Sequence, residues 1–296
     1  MFLRNIRLDD TDFIVYKDGE FNTCGFTCQK KAKMLSFVLA QKYLLTIKNE
    51  DITCVICKEE LLESVIALRP DVGIIICENP RKLIFKINEI FKNKYFYSKI
   101  DKSSRISDKA IISDKNVIIG KNCVIEPNVI IYENTIIKDN VYIGAGSIIG
   151  AEGFMVYNDI NNDIAKHKGY VVIDSNTKIL NNVNIEKAVF FGEVTMIGFN
   201  VILDSAVNIS HGVNIKKSTM IGANSKICGY TSIGNEVYIG PGSTISNNLE
   251  IGNRCTVKIG SVVVENLKNE SEVSSFYAID HKINMYNRMK IMKGKR

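Results

Sequence analysis

The stretch that decides the architecture is IGFNVILDSAVNISHGVNIKKSTMIGANSKICGYTSIGNEVYIGPGSTISNNLEI, running from Ile197 to Ile251. A large apolar residue returns at every sixth position: Ile197, Leu203, Ile209, Ile215, Ile221, Ile227, Ile233, Ile239, Ile245 and Ile251. The same phase runs back through Phe191, Ile185, Ile179 and Ile173 and on to Val257, and an earlier run holds Ile119, Ile125, Ile131, Ile137, Ile143 and Ile149. The fourth residue after most of these is small or β-branched, as at Cys123, Thr135, Val207, Ser225 and Val237. Ile106 and Ile112 sit one residue out of phase, so an irregular first coil is expected. A period of six matches neither a helix face nor a long flat strand. It matches short strands that turn every six residues, each first side chain pointing into a narrow core. Successive coils then stack at about 4.8 Å. Three sides close a triangular coil of eighteen residues, about seven coils in all, and positions eighteen apart become stacked neighbours.

Residues 1–100 differ in texture. LSFVLAQKYLLTI, ITCVIC, SVIAL, VGIIICEN and RKLIFKINEIFKN alternate β-rich runs with helical patterns, which predicts a small α/β domain. The β-helix is expected over 101–264, interrupted near 155–170 by the polar MVYNDINNDIAKHKGY, a long loop of the kind that carries function. Residues 265–296 read as a turn and a helix, with Ile279, Ile283 and Tyr286 on one stripe and a basic tail, a common cover for the open end of a stack. The expected class is therefore mainly β, a parallel β-helix with a small N-terminal α/β domain and a C-terminal helix.

Composition narrows the function. Hydrophobic residues are 46% and charged residues 24% of 296, which excludes a disordered chain, and no long uncharged apolar run predicts a membrane span. MFLRNIRLDDTDF carries charges where a secretory signal needs its apolar segment, so a cytoplasmic protein is expected and its eight cysteines read as reduced thiols. The net charge of +6 is spread out and does not point to nucleic acid. Cys54-x-x-Cys57 has the spacing of a metal or redox pair, but no second pair completes it and ITCVIC reads as a buried strand; no metal site is expected. No glycine-rich phosphate loop is present.

Several motifs resemble one family. The hexads are similar to those of the left-handed β-helix acyltransferases, and LSFVLAQKY (35–43), IGAEGF (149–154) and ILDSAVNISHGVNI (202–215) resemble the uridine-binding segment, the IGSDGF motif and the catalytic-histidine segment of the UDP-3-O-acylglucosamine N-acyltransferase family. The sequence departs from that family at Ala40, at IEKA (185–188, where the family has IDRG) and at Gly212. The resemblance implies left-handedness and a homotrimer with its active sites between neighbours. It also implies transfer of an acyl group from acyl-CoA or acyl carrier protein to the amine of a nucleotide-linked amino sugar. No permanently bound cofactor is implied.

The residues allow that chemistry. Acyl transfer to an amine needs a base near neutrality, and the chain has three histidines, His167, His211 and His281. His211 is the third residue of its hexad, at a turn. Eighteen residues on lies Gly229, whose N–H could hold an oxyanion or whose position could simply serve a turn. Eighteen residues back lies Glu193, an orienting acid for the imidazole or a solvated charge. The resemblance makes Asp204 a sugar contact, or else a turn cap. It makes Phe37 and Tyr43 a stacking pair for a base, or else core aromatics. Glu152, Gly153 and Phe154 lead into the expelled loop and His167 closes it, over sugar or acyl chain. His281 reads as structural. Two other readings stay open: a non-catalytic hexapeptide-repeat scaffold, and a metalloenzyme on the same coil.

Overall fold

The computed structural model describes residues 1–9, 11–158, 163–275 and 280–293. The N-terminal sheet has the order β1 (Ile14–Lys17), β5 (Gly73–Ile76), β4 (Ile52–Cys57), β3 (Met34–Phe37), β2 (Thr23–Cys24), with β1 antiparallel and the rest parallel. Strands buried on both faces need continuous apolar runs, which ITCVIC and GIII supply. Helices α1 (Leu62–Leu68) and α2 (Pro80–Ile90) connect and cover it. Asn79 caps α2 by accepting from the Lys82 N–H at 2.9 Å, with Pro80 in the first turn.

From Lys99 the chain winds into a prism of three parallel sheets with nine, eight and eight strands. The first face carries Ile119, Ile137, Ile173, Ile197, Ile215, Ile233 and Ile251; the second carries Ile125, Ile143, Ile179, Leu203, Ile221, Ile239 and Val257; the third carries Ile131, Ile149, Ile185, Ile209, Ile227, Ile245 and Val263. These side chains form one continuous core. Burying each contributes about 1.5–3 kcal/mol, which is why the sixth-position pattern is so strict. The fourth residue of most hexads turns the corner at positive φ, as at Asn122, Asn140, Asn176 and Asn200. Asparagine tolerates that backbone and adds a ladder, Asn122 Nδ2 donating to Asn140 Oδ1 at 3.3 Å and Asn140 Nδ2 to Asn176 Oδ1 at 3.1 Å. Buried hydroxyls find carbonyls, Thr219 donating to Gly234 O at 2.8 Å and Thr231 to Ser246 O at 2.7 Å.

The prism departs from eighteen residues per coil at its ends and at one corner. In the first coil Ile100, Ile106 and Ile112 pair with Ile119, Ile125 and Ile131, a nineteen-residue offset that explains their slipped phase. Beyond Val263, where the hexads fade, the coil continues: Leu267 bridges Ile251, and Glu272–Val273 pairs with Thr256–Val257. The wall thus extends past 264. Between the third and first faces two successive coils carry insertions. Ile137, Ile143 and Ile149 pair with residues 36 positions on, which accommodates the long loop. Ile173, Ile179 and Ile185 pair with Ile197, Leu203 and Ile209, 24 positions on. That second insertion is one hexad long and keeps phase, so the expectation that Phe191 is a core position fails. Phe191 instead stacks on Phe91 of the N-terminal domain, ring centroids 4.9 Å apart.

The inserted hexad is where the N-terminal domain docks. Asn88 donates to Val189 O at 3.2 Å and accepts from the Phe191 N–H at 2.9 Å, Thr23 donates to Phe191 O at 2.6 Å, and the fully buried Phe190 stacks on Phe85 at 5.4 Å. The long loop folds onto the same domain through Tyr157, 5.7 Å from Phe85. The C-terminal helix α3 (His281–Lys293) shows Ile283 and Tyr286 at 55% and 56% exposure, so that stripe is not buried against the coil within the chain; Ile279 lies outside the described residues.

Candidate active site

The corner between the third and first faces gathers the chemistry. Its two insertions lie directly beneath His211, and they set which residues meet it. Because Ile209 pairs with Ile185, His211 lies one coil above the Glu186–Lys187 segment, not above Glu193. Glu186 Oε2 accepts from His211 Nδ1–H at 3.1 Å and from the His211 backbone N–H at 3.1 Å. Both side chains are nearly dry, 11% and 14% exposed. A carboxylate on Nδ1 fixes the tautomer that leaves Nε2 with its lone pair. The orienting acid is therefore Glu186, and the assignment of Glu193 to that place is corrected.

Above His211 the eighteen-residue offset holds, since Ile209 also pairs with Ile227. A Cβ added to Gly229 would lie 2.6 Å from His211 Nε2, so only glycine admits the ring so close. The neighbouring amides are spent, Cys228 N–H on Ile245 O and Tyr230 N–H on His211 O, both 3.0 Å. Among the described residues the Gly229 N–H meets no acceptor. A residue whose N–H has no acceptor among the described residues thus sits directly beside the imidazole nitrogen.

From below, Gly153 closes on the same pair. A side chain there would begin 2.1 Å from Glu186 Oε2 and 3.0 Å from His211 Nδ1. Glu152 Oε1 lies 3.8 Å from the buried Lys187 Nζ, beside a cavity of about 600 Å³ that Tyr132 and Glu133 also line. Phe154 points to solvent, 82% exposed. His167 comes back from the loop, 3% exposed, with Nδ1 2.8 Å from Lys187 O and its ring centroid 5.5 Å from that of His211. A carbonyl only accepts, so His167 Nδ1 carries the proton. Its Nε2 is buried without a partner among the described residues. Burial holds this imidazole below its ordinary value of 6.5 despite the Lys187 hydrogen bond.

Glu193 serves a different network. Its Oε2 accepts from the Phe190 N–H at 3.0 Å and the Tyr230 hydroxyl at 3.1 Å, and its Oε1 meets Lys31 Nζ at 2.6 Å. Burial, followed by the Glu193 carboxylate, raises the Tyr230 phenol well above its ordinary value. Tyr230 turns its corner at φ 61°, costly for a bulky residue, and packs its ring 5.3 Å from His211 and 5.4 Å from Phe26. This group lines a second cavity, of about 590 Å³, between residues 28–31 and the first face.

Phe37 and Tyr43 do share a pocket, of about 240 Å³, with Phe26 and Leu39. Phe26 touches both Phe37, at 5.9 Å, and Tyr230, so that pocket is joined to His211 by a short run of rings. Asp204 sits at another corner, after the second face, where Oδ1 accepts from the Ser205 N–H at 2.7 Å; within one chain it caps its own turn. Cys54 and Cys57 are free thiols buried in β4, each pushed up to about 11 by burial. Among the described residues no cluster of three His, Cys, Asp or Glu could hold a metal, and no helix is long and apolar enough to cross a membrane.

A three-faced coil built on a six-residue period is the fold of the hexapeptide-repeat proteins. The family model described as bacterial transferase hexapeptide (six repeats) matches residues 116–151. No curated protein matches the chain. Among solved structures, the UDP-N-acetylglucosamine acyltransferase of Francisella novicida is 20% identical over 65% of this chain and 72% of its own, with a TM-score of 0.50. That of Campylobacter jejuni is 20% identical over 64% and 82%, with a TM-score of 0.48. A mutant perosamine N-acetyltransferase from Caulobacter crescentus, in complex with CoA and GDP-perosamine, is 12% identical over 80% and 72%, at 0.21. At these identities the likeness is one of fold, the left-handed parallel β-helix.

Proposed function

We propose that this chain is an N-acyltransferase that moves an acyl group from a thioester, acyl-CoA or acyl carrier protein, to the amine of a nucleotide-linked amino sugar. The product would serve a surface glycan or lipid A. The observation that carries the reading is the His211 Nε2 lone pair beside Gly229, whose N–H has no acceptor among the described residues, with Glu186 behind the ring. The amine attacks the thioester carbonyl while Nε2 takes a proton. The carbonyl oxygen, now negative, accepts from Gly229 N–H, worth about 3–4 kcal/mol in the barrier. Glu186, hydrogen-bonded to Nδ1, favours the imidazolium. The C–S bond then breaks, and the leaving thiolate takes the proton from His211.

Phe37 and Tyr43 are assigned to the base, and Glu152, Gly153 and Phe154 to the sugar side of the groove. Asp204, at its separate corner, contacts sugar only across a subunit boundary, which fits a homotrimer with sites between neighbours. Outward-facing Ile111 and Tyr132, 64% and 45% exposed beside the third face, support such packing.

The test is a mass-spectrometric screen of UDP- and dTDP-amino sugars against short acyl-CoA and acyl-carrier donors, with light scattering for mass. Transfer that His211→Ala abolishes in a folded trimer is the expected result. Turnover unchanged by His211→Ala defeats the reading and favours a scaffold.

A further inference from the structure

We infer that His167 is a second hydrogen-bond acceptor for the attacking group, and that it makes this site select an amine over a hydroxyl. The inference rests on the acyl-transfer reading above and adds what decides the acceptor. Its basis is one orphaned atom. His167 is 3% exposed, its Nδ1 is committed to Lys187 O at 2.8 Å, and its Nε2 is sealed with no partner among the described residues. Buried polar groups are normally paired, so an unpaired one beside a reactive centre is a place kept for a guest. Because Lys187 O takes the Nδ1 proton, Nε2 can only accept.

The neighbouring ring is that of His211, whose Nδ1 is committed to the Glu186 carboxylate, which leaves its Nε2 as the second acceptor. The two rings stand edge to face at 87°, centroids 5.5 Å apart. A tetrahedral nitrogen giving two hydrogen bonds of about 2.9 Å spans acceptors about 4.7 Å apart, a separation within reach of ring nitrogens whose centroids lie 5.5 Å apart. An amine has two N–H bonds for two lone pairs. A hydroxyl has one O–H, and whichever acceptor it leaves is buried and unsatisfied.

The balance holds through the reaction. One N–H proton passes to His211 Nε2 as the N–C bond forms, and it leaves with the thiol as C–S breaks. The other stays on nitrogen and becomes the amide N–H, still donating to His167. An ester product has no such hydrogen. His167 is thus an acceptor that stays neutral, which its buried, low-pKa state favours, and His211 alone carries the proton.

The experiment compares two nucleotide sugars that differ only in amino or hydroxyl at the acceptor carbon, with one acyl-CoA, in the full-length wild type, His167→Phe and His167→Gln. The expected result is an amine-to-hydroxyl ratio in kcat/KM that falls about 10- to 100-fold in His167→Phe, the cost of one buried acceptor. The fall is smaller in His167→Gln, whose amide oxygen can accept. An unchanged ratio in His167→Phe overturns this inference and leaves the transfer reading standing. A wild type inert toward both sugars overturns the transfer reading itself. Nitrogen NMR of labelled histidine reads the state without any turnover, three imidazoles making assignment simple. His167 is expected neutral with Nε2 unprotonated at pH 7.5, and a proton on that Nε2 overturns the inference.

Discussion

Glu186 Oε2 takes two hydrogen bonds from one residue, the ring Nδ1–H and the backbone N–H of His211, each 3.1 Å. This chelation locks both the tautomer and the tilt of the imidazole. Glu186→Gln offers an amide whose oxygen still accepts but whose charge is gone. Transfer is expected to fall by about 10²–10⁴ in kcat, as for other carboxylate-backed histidines, with little change in KM. Steady-state kinetics on the folded variant checks it; kcat within a few-fold of wild type contradicts the role.

Gly229 should tolerate no side chain. Alanine there places a methyl 2.6 Å from Nε2 and 3.0 Å from Cδ2, so the ring must move. The fold should persist, because the methyl meets a ring that can swing rather than the apolar core. An activity loss of at least about 10²-fold is expected, with an unchanged circular dichroism spectrum. A fully active Gly229→Ala would remove the amide from the mechanism.

Phe190 ties the N-terminal domain to the coil, fully buried between Phe85, at 5.4 Å, and Phe26, at 5.1 Å. Phe190→Ala should cost about 3–5 kcal/mol. Much of that loss should be uncoupling, seen in urea unfolding as an early transition of the smaller domain. A single unshifted transition would mean the docking contributes little.

His167 gives stability a pH dependence of known sign. Its pKa is lowered in the folded state from 6.5 by burial. Below the unfolded value the unfolded chain binds a proton that the folded chain refuses. This group's contribution is therefore complete above about pH 6.5 and is lost as the pH falls below it. His167→Phe should remove that component, flattening the urea midpoint between pH 7.5 and 5.5 relative to wild type. Parallel curves for the two proteins would contradict the burial.

Most of the architecture is written in the isoleucines, because a narrow core accepts only large apolar side chains and accepts them at one period. The same regularity hides what matters at the site. An insertion one period long leaves Phe191 in phase, so counting back eighteen from His211 reaches Glu193 when the coil beneath holds Glu186. The signal was there in AVFFG (188–192), where adjacent phenylalanines break the inward–outward alternation of a hexad. Gly229, on the uninterrupted side, lies where the count puts it. The Nε2 of His167, without a partner among the described residues, has no sequence signature, because it depends on how the loop at 155–170 returns.

The inserted hexad has a consequence for how this protein can be altered. Chain added or removed at that corner in whole sides leaves every rung from Ile197 upward aligned, so the corner works as a socket. Exchanging residues 188–192 together with the domain seated on them would replace that domain while the upper wall, Gly229 included, keeps its place, and the Lys187 carbonyl that holds His167 stays where it is. New acceptor specificities are therefore best sought by grafting at this socket rather than by editing the ladder.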